Sequence, residues 1–372
     1  MSLRIGVLTG GGDCPGLNPA IKGLVLGMHL GAGRNVEVLG LRDGWKSLVQ
    51  EDLVSAGPAS GVFFGKDQWW KVLTPEMVEL WDAEGGTNLG SSRTNPFKKG
   101  AEREEAVIRN IQGMKLDVLV AIGGEDTLGV ALKLHRKGIP VVGVPKTIDK
   151  DLPGTEYTLG FETAVQIITQ EVDRVRTTAG SHSRTFVIET MGRHAGHLAL
   201  QGGIAAGAYV ILIPEWKYNV ARVVKLLSDR RTQGARYSIV VISEGAMADS
   251  MKEPFSSGSM RDTGFEHVAL GGIGELLRAQ VEQATDWDLR SVNLSHLQRG
   301  GAPCAFDRRM GRLFGAAAAD LCRKRDFGKF VAVRDGKVTA VPLTEIDGPL
   351  LTVDVEKEYD RTRYNARRSS IL

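Results

Sequence analysis

The chain has 372 residues, beyond the roughly 250–300 at which one hydrophobic core stops growing, so two lobes are expected. Its composition, 42% hydrophobic and 24% charged, fits a soluble globular protein, and a formal net charge of +3 is too small to point to nucleic acid or an anionic membrane as partner. Cys14, Cys304 and Cys322 are too few and too widely spaced for a disulfide framework or a four-ligand zinc site, and no apolar run reaches the length of a membrane span.

The first strand pattern, RIGVLTG from Arg4, follows no basic and apolar leader, which predicts a cytoplasmic protein. It runs into TGGGDCPGLNPAIKG (Thr9–Gly23), where glycines allow close backbone approach to a ligand and a helix from near Pro19 aims its amides at an anion. The order matches neither the dinucleotide fingerprint nor the P-loop. A dinucleotide reading would need an acid at the end of a second strand, for which Glu37 is the nearest candidate. From Gly57 to Asn95, with Trp69, Trp70, Trp81 and the loop AEGGTNLGSSRTNP, the rhythm breaks into a hairpin or loop excursion.

Further near-continuous apolar runs read as strands buried on both faces: DVLVAIGG, IPVVGVP, TFVIETMG, AYVILIPE, YSIVVISEG and SVNLSHLQRG. Between them lie helical patterns, the clearest starting near Phe161 with Ala164, Val165, Ile168, Val172 and Val175 on one face. Strands alternating with helices predict doubly wound parallel sheets with ligands beyond the strands' carboxyl ends. The second such end, VAIGGEDTLGV, places Glu125 and Asp126 after two glycines, and the third, GVPKTIDKDLPGT, sets Asp149 and Asp151 among Lys146, Thr147 and Lys150. Flanking cations hold such carboxylates ionised, and an ionised aspartate near a hydroxyl is a candidate general base. The tail EKEYDRTRYNARRSSIL reads as a solvated helix and frayed terminus.

Taken in order, GGDCPGLN, IGGEDT, PKTIDKD, GFETA, SHSRTFVIETMGRHAGHLAL, SEG and HLQRGGAPCAFDR resemble the phosphofructokinase family from about Arg4 to Asp320. The resemblance implies two Rossmann-like α/β lobes with largely parallel sheets flanked by helices: a phosphoryl-donor lobe of residues 1–160 with about 303–350, and a sugar-phosphate lobe of 161–302 with about 351–372. It implies transfer of a phosphoryl group to the 1-hydroxyl of fructose 6-phosphate in a homodimer or homotetramer with shared active sites. Asp149 then matches the base, Thr147 and Arg93 orient and neutralise the moving group, Gly12 approaches the donor phosphates, and Glu125 stands where an aspartate usually serves Mg²⁺. Thr147, Ile148 and Asp149, the turn Met191, Gly192 and Arg193, Glu244, and His296 with Arg299 are carried over as sugar-phosphate residues, Arg193 also as catalytic. The resemblance also implies that Arg184 and Arg290 bind the sugar phosphate from a neighbouring subunit.

The donor is read from two positions. Asp126 and Lys146 replace glycines common in ATP-using members; the acid opposes an α-phosphate and the ammonium fills the vacated space, so pyrophosphate is the expected donor and ATP the alternative. Asp126 also fits a helix cap. Lys22 with Leu26, where regulated members carry two basic residues, implies little response to nucleotide effectors. His194 and His197 have the spacing of a helical metal pair without a third ligand, and Cys14 has no evident base to make it a nucleophile.

Overall fold

The computed structural model describes residues 3–30, 36–61, 64–98, 100–256 and 270–367, and the structural statements that follow concern these. The strands are β1 (Leu3–Thr9), β2 (Val36–Leu41), β3 (Trp70–Leu73), β4 (Val118–Gly123), β5 (Val141–Pro145), β6 (Thr185–Thr190), β7 (Val210–Leu212), β8 (Ser238–Ser243), β9 (Leu289–Asn293), β10 (Lys329–Arg334), β11 (Lys337–Pro342), β12 (Tyr359–Asp360) and β13 (Asn365–Ala366). The helices are α1 (Leu17–His29), α2 (Trp45–Leu48), α3 (Ala101–Gly113), α4 (Glu125–Arg136), α5 (Phe161–His182), α6 (His197–Ala205), α7 (Val220–Thr232), α8 (Ile273–Ala284), α9 (Ala305–Lys324) and α10 (Val355–Glu358). None of them is long and apolar enough to cross a membrane.

One sheet runs β11-β10-β5-β4-β1-β2-β3, parallel except for its antiparallel edge strands β3 and β11, and the other runs β7-β8-β6-β9, all parallel. In β4, β5, β6 and β8 every residue is buried, as their unbroken apolar runs require for strands covered on both faces. Two expected strands are shorter than their apolar runs: β7 has three residues, and SHLQR (Ser295–Arg299) leaves β9 as a 3₁₀ turn. The Gly57–Asn95 excursion supplies the edge strand β3 and a 3₁₀ turn at Trp81–Ala83.

The chain returns to the first sheet late, through α9 and the hairpin β10–β11, whose turn residues Asp335 and Gly336 both have positive φ (50° and 68°). Helices α1 and α9 meet backbone to backbone: a side chain at Gly23 would come within 2.3 Å of the Arg312 carbonyl oxygen, and one at Gly315 within 2.1 Å of that of Ala20. At the start of α9, the fully buried Asp307 accepts from the Gly160 amide (2.6 Å), the Thr163 amide (2.7 Å) and hydroxyl (2.6 Å), and the Tyr157 hydroxyl. One carboxylate therefore anchors α9 to the first turn of α5.

The expectation of a solvated helical tail is corrected. Only Val355–Glu358 is helical, and the chain then folds back as β12–β13 with Tyr359, Tyr364 and Ala366 buried; residues 368–372 lie outside the described set. The Tyr359 hydroxyl donates to the Ile211 carbonyl (2.6 Å) and the Ile211 amide to that of Tyr364 (2.7 Å), so the aromatics dock on β7 while the charges point outward.

Candidate active site

The site is assembled from segments that each follow the carboxyl end of a strand: Gly10–Gly16 after β1, Gly124–Asp126 after β4, Lys146–Asp151 after β5, Met191–His194 after β6, Glu244 after β8 and Ser295–Arg299 after β9. Thirteen of the residues given a site role from sequence line one cavity of about 880 Å³: Gly12, Arg93, Glu125, Asp126, Lys146, Thr147, Ile148, Asp149, Met191, Arg193, Glu244, His296 and Arg299. Asp13, Thr127, Asp151, His194, Leu270 and Leu350 also line it.

On the first-sheet side, Gly10 touches Thr127, whose hydroxyl would lie 2.5 Å from any added Cβ, and a side chain at Gly12 would run into the Arg299 guanidinium at 2.7 Å. The 84–95 loop is tied to this turn by the Gly11 amide to the Ser92 carbonyl (3.0 Å) and the Thr9 hydroxyl to the Gly90 carbonyl (2.7 Å). These ties bring Arg93 to the mouth of the cavity, where its guanidinium feels the charges of Arg299, Arg193 and Asp126. Lys146, 4% exposed, donates from Nζ to the Gly12 carbonyl, and its burial lowers the ammonium's pKa. The capping position of α4 is Gly124; Asp126 stands inside its first turn, so it does not occupy the cap position itself.

In the next loop the Asp149 amide donates to the Thr147 hydroxyl (3.2 Å), and Lys150 takes a left-handed conformation with φ 56°. Asp149 Oδ1 is buried without a hydrogen-bond partner. Burial raises the Asp149 pKa against the opposing pull of Arg299, Lys146, Arg193 and His194. Burial, with the charge of Asp149, pushes Asp151 to about 7, and burial with the same neighbour also pushes Glu244 to about 7. Among the described lining residues, six acidic side chains (Asp13, Glu125, Asp126, Asp149, Asp151, Glu244) share the cavity with four basic ones (Arg93, Lys146, Arg193, Arg299).

On the second-sheet side, the Met191 amide donates to Gln298 Oε1 (3.3 Å) and the Gln298 amide group to the Ser295 carbonyl (3.0 Å), locking the His296–Arg299 turn to the Met191–Arg193 turn. Gly192, with φ 124°, lies behind the cavity wall and its carbonyl accepts from the Ser243 hydroxyl. Arg184 and Arg290 lie outside this chain's cavity, at the amino ends of β6 and β9, where both pair with Asp288, Arg184 at 2.6 Å. Gln298 sits inside a motif quoted from the sequence; Asp151 is the carboxylate read there beside Asp149, and His194 lines the cavity without the metal pairing weighed for it; Leu270 and Leu350 carry no local signal at all.

Several alternative readings lose their geometry. Glu37 is the second residue of β2 and pairs with Arg4 (2.6 Å), at the wrong end of the strand for a ribose. His197 opens α6 whereas His194 lies in the preceding loop, so they are not a pair on one helix face. Cys14 donates to the Leu159 carbonyl (3.2 Å) and burial raises its thiol pKa far above the ordinary value, which removes the thiolate a nucleophile needs.

The phosphofructokinase family profile matches residues 4–322. The chain is similar to the pyrophosphate–fructose 6-phosphate 1-phosphotransferase of Dictyoglomus thermophilum, 46% identical over 352 residues that cover 95% of each chain. It is also similar to the ATP-dependent 6-phosphofructokinase of Chloroflexus aurantiacus, 40% identical over 354 residues covering 93% of this chain and 92% of the other. Among solved structures, the phosphofructokinase from Saccharomyces cerevisiae superposes with a TM-score of 0.75 at 28% identity over 92% of the chain, which spans 45% of the yeast protein's length. With its strand-end loops gathered in one polar cavity and its sequence matched along most of its length, the chain belongs to the phosphofructokinase family.

Proposed function

We propose that the protein transfers a phosphoryl group from pyrophosphate to the 1-hydroxyl of fructose 6-phosphate, in a nearly reversible reaction. The observation that carries the choice of donor is the seat of Lys146: its buried ammonium lies against the Gly11–Gly12 backbone, with Asp126 in the same cavity. A compact donor gains an ammonium there, whereas a nucleotide meets an occupied space and a carboxylate opposed to its α-phosphate. The 46% identity to a pyrophosphate-named relative, against 40% to an ATP-named one, points the same way.

In this reading Asp149 accepts the proton of the sugar hydroxyl through its unpartnered oxygen, and Thr147 orients the group in flight. Arg93 and Arg193 neutralise charge as it spreads over the phosphoryl oxygens. Met191, Arg193, Glu244, His296 and Arg299 hold the sugar phosphate, and Gly192, with its positive φ, shapes the turn that presents Met191 and Arg193. The carboxylate oxygens in a cavity meant for phosphates are hard donors of the kind Mg²⁺ takes, and Mg²⁺ binds through only one or two carboxylates together with waters and substrate phosphates. Glu125 is its proposed protein contact; when bound, Mg²⁺ would offset the negative charge of the donor.

Assay of the purified protein with each donor tests the proposal, and strong turnover with ATP but none with pyrophosphate would overturn it. Changing Asp126 and Lys146 together to Gly should weaken pyrophosphate use by about 100-fold or more, exceeding the product of the single effects because both act on one phosphate. Parental pyrophosphate kinetics in the double variant would refute the donor-selection argument.

Arg184 and Arg290 are proposed to complete the sugar-phosphate site of a neighbouring copy, since neither lines the cavity of its own chain. Mixing an Arg184→Ala chain with an Asp149→Ser chain should then restore measurable activity that neither has alone; no recovery in a confirmed mixed oligomer would argue for self-contained sites. Lys22 is already held by Asp82 at 2.9 Å, which supports the expectation of little response to nucleotide effectors.

A further inference from the structure

Residues 348–353 cross from the 3₁₀ turn Leu343–Asp347, beside the first sheet, toward the second, and they pass the cavity on the way. The Gly348 amide closes the turn on the Glu345 carbonyl (3.0 Å), and the later fastenings go to segments next to the chemistry. The Leu351 amide donates to the Asp151 carbonyl (2.8 Å). The Val353 amide donates to Glu215 Oε1 (2.8 Å), and the same oxygen accepts from the Gly196 amide (2.8 Å) just past the Met191–Arg193 turn. Glu215 thus clips the crossing segment to the sugar-side loop. Its second oxygen is buried without a partner against Gly196, where an added Cβ would lie 2.7 Å away.

Immediately before Leu351, the first of these later fastenings, Leu350 lines the cavity that Asp151 also lines. An aliphatic side chain beside so many charged groups offers none of them a hydrogen bond, and its physical effect there is to displace water. A phosphoryl acceptor site has reason to exclude water, because water competes with the sugar hydroxyl.

We infer that the 348–353 segment is part of the catalytic apparatus: Leu350 shields the transferring phosphoryl group from water and so sets the ratio of transfer to hydrolysis, while Glu215 positions the segment that carries it. The inference rests on the phosphoryl-transfer reading above. In the suppressed reaction a water oxygen bonds to phosphorus, the bond from phosphorus to the bridging oxygen breaks with its electron pair leaving on phosphate, and the water's proton passes to Asp149. Leu350 acts as a specificity residue and Glu215 as a positioning residue.

The test compares full-length wild type, Leu350→Ser, Leu350→Met and Glu215→Ala with pyrophosphate, Mg²⁺ and fructose 6-phosphate, measuring phosphate release against bisphosphate formed. Leu350→Ser should raise the ratio of hydrolysis to transfer by about tenfold or more, Leu350→Met should stay near wild type, and Glu215→Ala should follow Leu350→Ser. The ratio is defined for ATP as well, so a different donor would leave the test intact. An unchanged ratio in a folded Leu350→Ser protein would overturn the inference. Hydrogen exchange provides a readout independent of turnover: the Leu351 and Val353 amides should exchange about tenfold faster in Glu215→Ala, and unchanged protection there would remove Glu215 from the role. A wild type that transfers from neither donor would sink the proposed function, and the exchange result would still decide whether the clip exists.

Discussion

Replacing Asp149 with Ser should lower kcat by about 10²–10⁴-fold while the KM for fructose 6-phosphate moves only a few-fold. The proposed role is confined to the moment the hydroxyl proton leaves, so ground-state binding, carried by the arginines and Glu244, should survive. The melting temperature should hold or rise, because desolvation dominates the environment of Asp149 and one of its oxygens has no partner. That combination separates loss of a base from loss of the fold. Unaltered turnover would take Asp149 out of the mechanism.

The pH profile supplies a second reading of the same group. A base must be ionised, and the Asp149 pKa is raised above the 3.8 of an ordinary aspartate, so the forward rate should fall as pH drops through that raised value. The reverse reaction returns the proton and needs the acid form, so it should lose rate on the alkaline side of the same value. Asp151→Asn removes a neighbouring carboxylate coupled to Asp149 and should move the forward acid limb to lower pH. A limb that stayed in place would show that the two carboxylates do not share their titration.

Asp307→Ala should destabilise the protein by about 3–5 kcal/mol, read from denaturant midpoints. Two amides and two hydroxyls lose their acceptor at once, all at buried or partly buried positions around the start of α5. Burial and the Asp307 charge hold the Tyr157 phenol far above its ordinary pKa, so it remains a donor and would be left facing a void. Asp307→Asn should cost less, since its carbonyl oxygen still accepts while its amide group opposes the Thr163 donors. A loss below about 1 kcal/mol in the alanine variant would mean that water replaces the carboxylate.

What the sequence made legible follows from distance along the chain. β4, β5, β6 and β8 announce themselves because burial on both faces demands unbroken apolar runs, and the site segments follow directly from those strand ends. β2 was harder to see: VEVLGL carries Glu37, whose charge is balanced by Arg4 on the neighbouring strand and not by anything local. The β10–β11 hairpin carries a local turn signal in Asp335–Gly336, but charged residues surround that turn, and β11, KVTAVP, lacks the unbroken apolar runs of the central strands. The tail's aromatic residues are likewise explained only by the distant β7 they cover. Leu350 and Asp307 owe their roles to partners about 150 to 200 positions away, which no reading of spacing or periodicity reaches.

The seam between α1 and α9 bears on how mutational surveys of this protein are to be interpreted. Gly23 and Gly315 have no room for even a methyl group, and α1 leads directly out of the Gly10–Gly16 turn while α9 begins just beyond Arg299. Alanine at either position would wedge the helices apart and shift two walls of the cavity together. In a screen scored by activity alone, these two glycines would be indistinguishable from residues that touch substrate, and measuring protein abundance beside turnover is what would sort them.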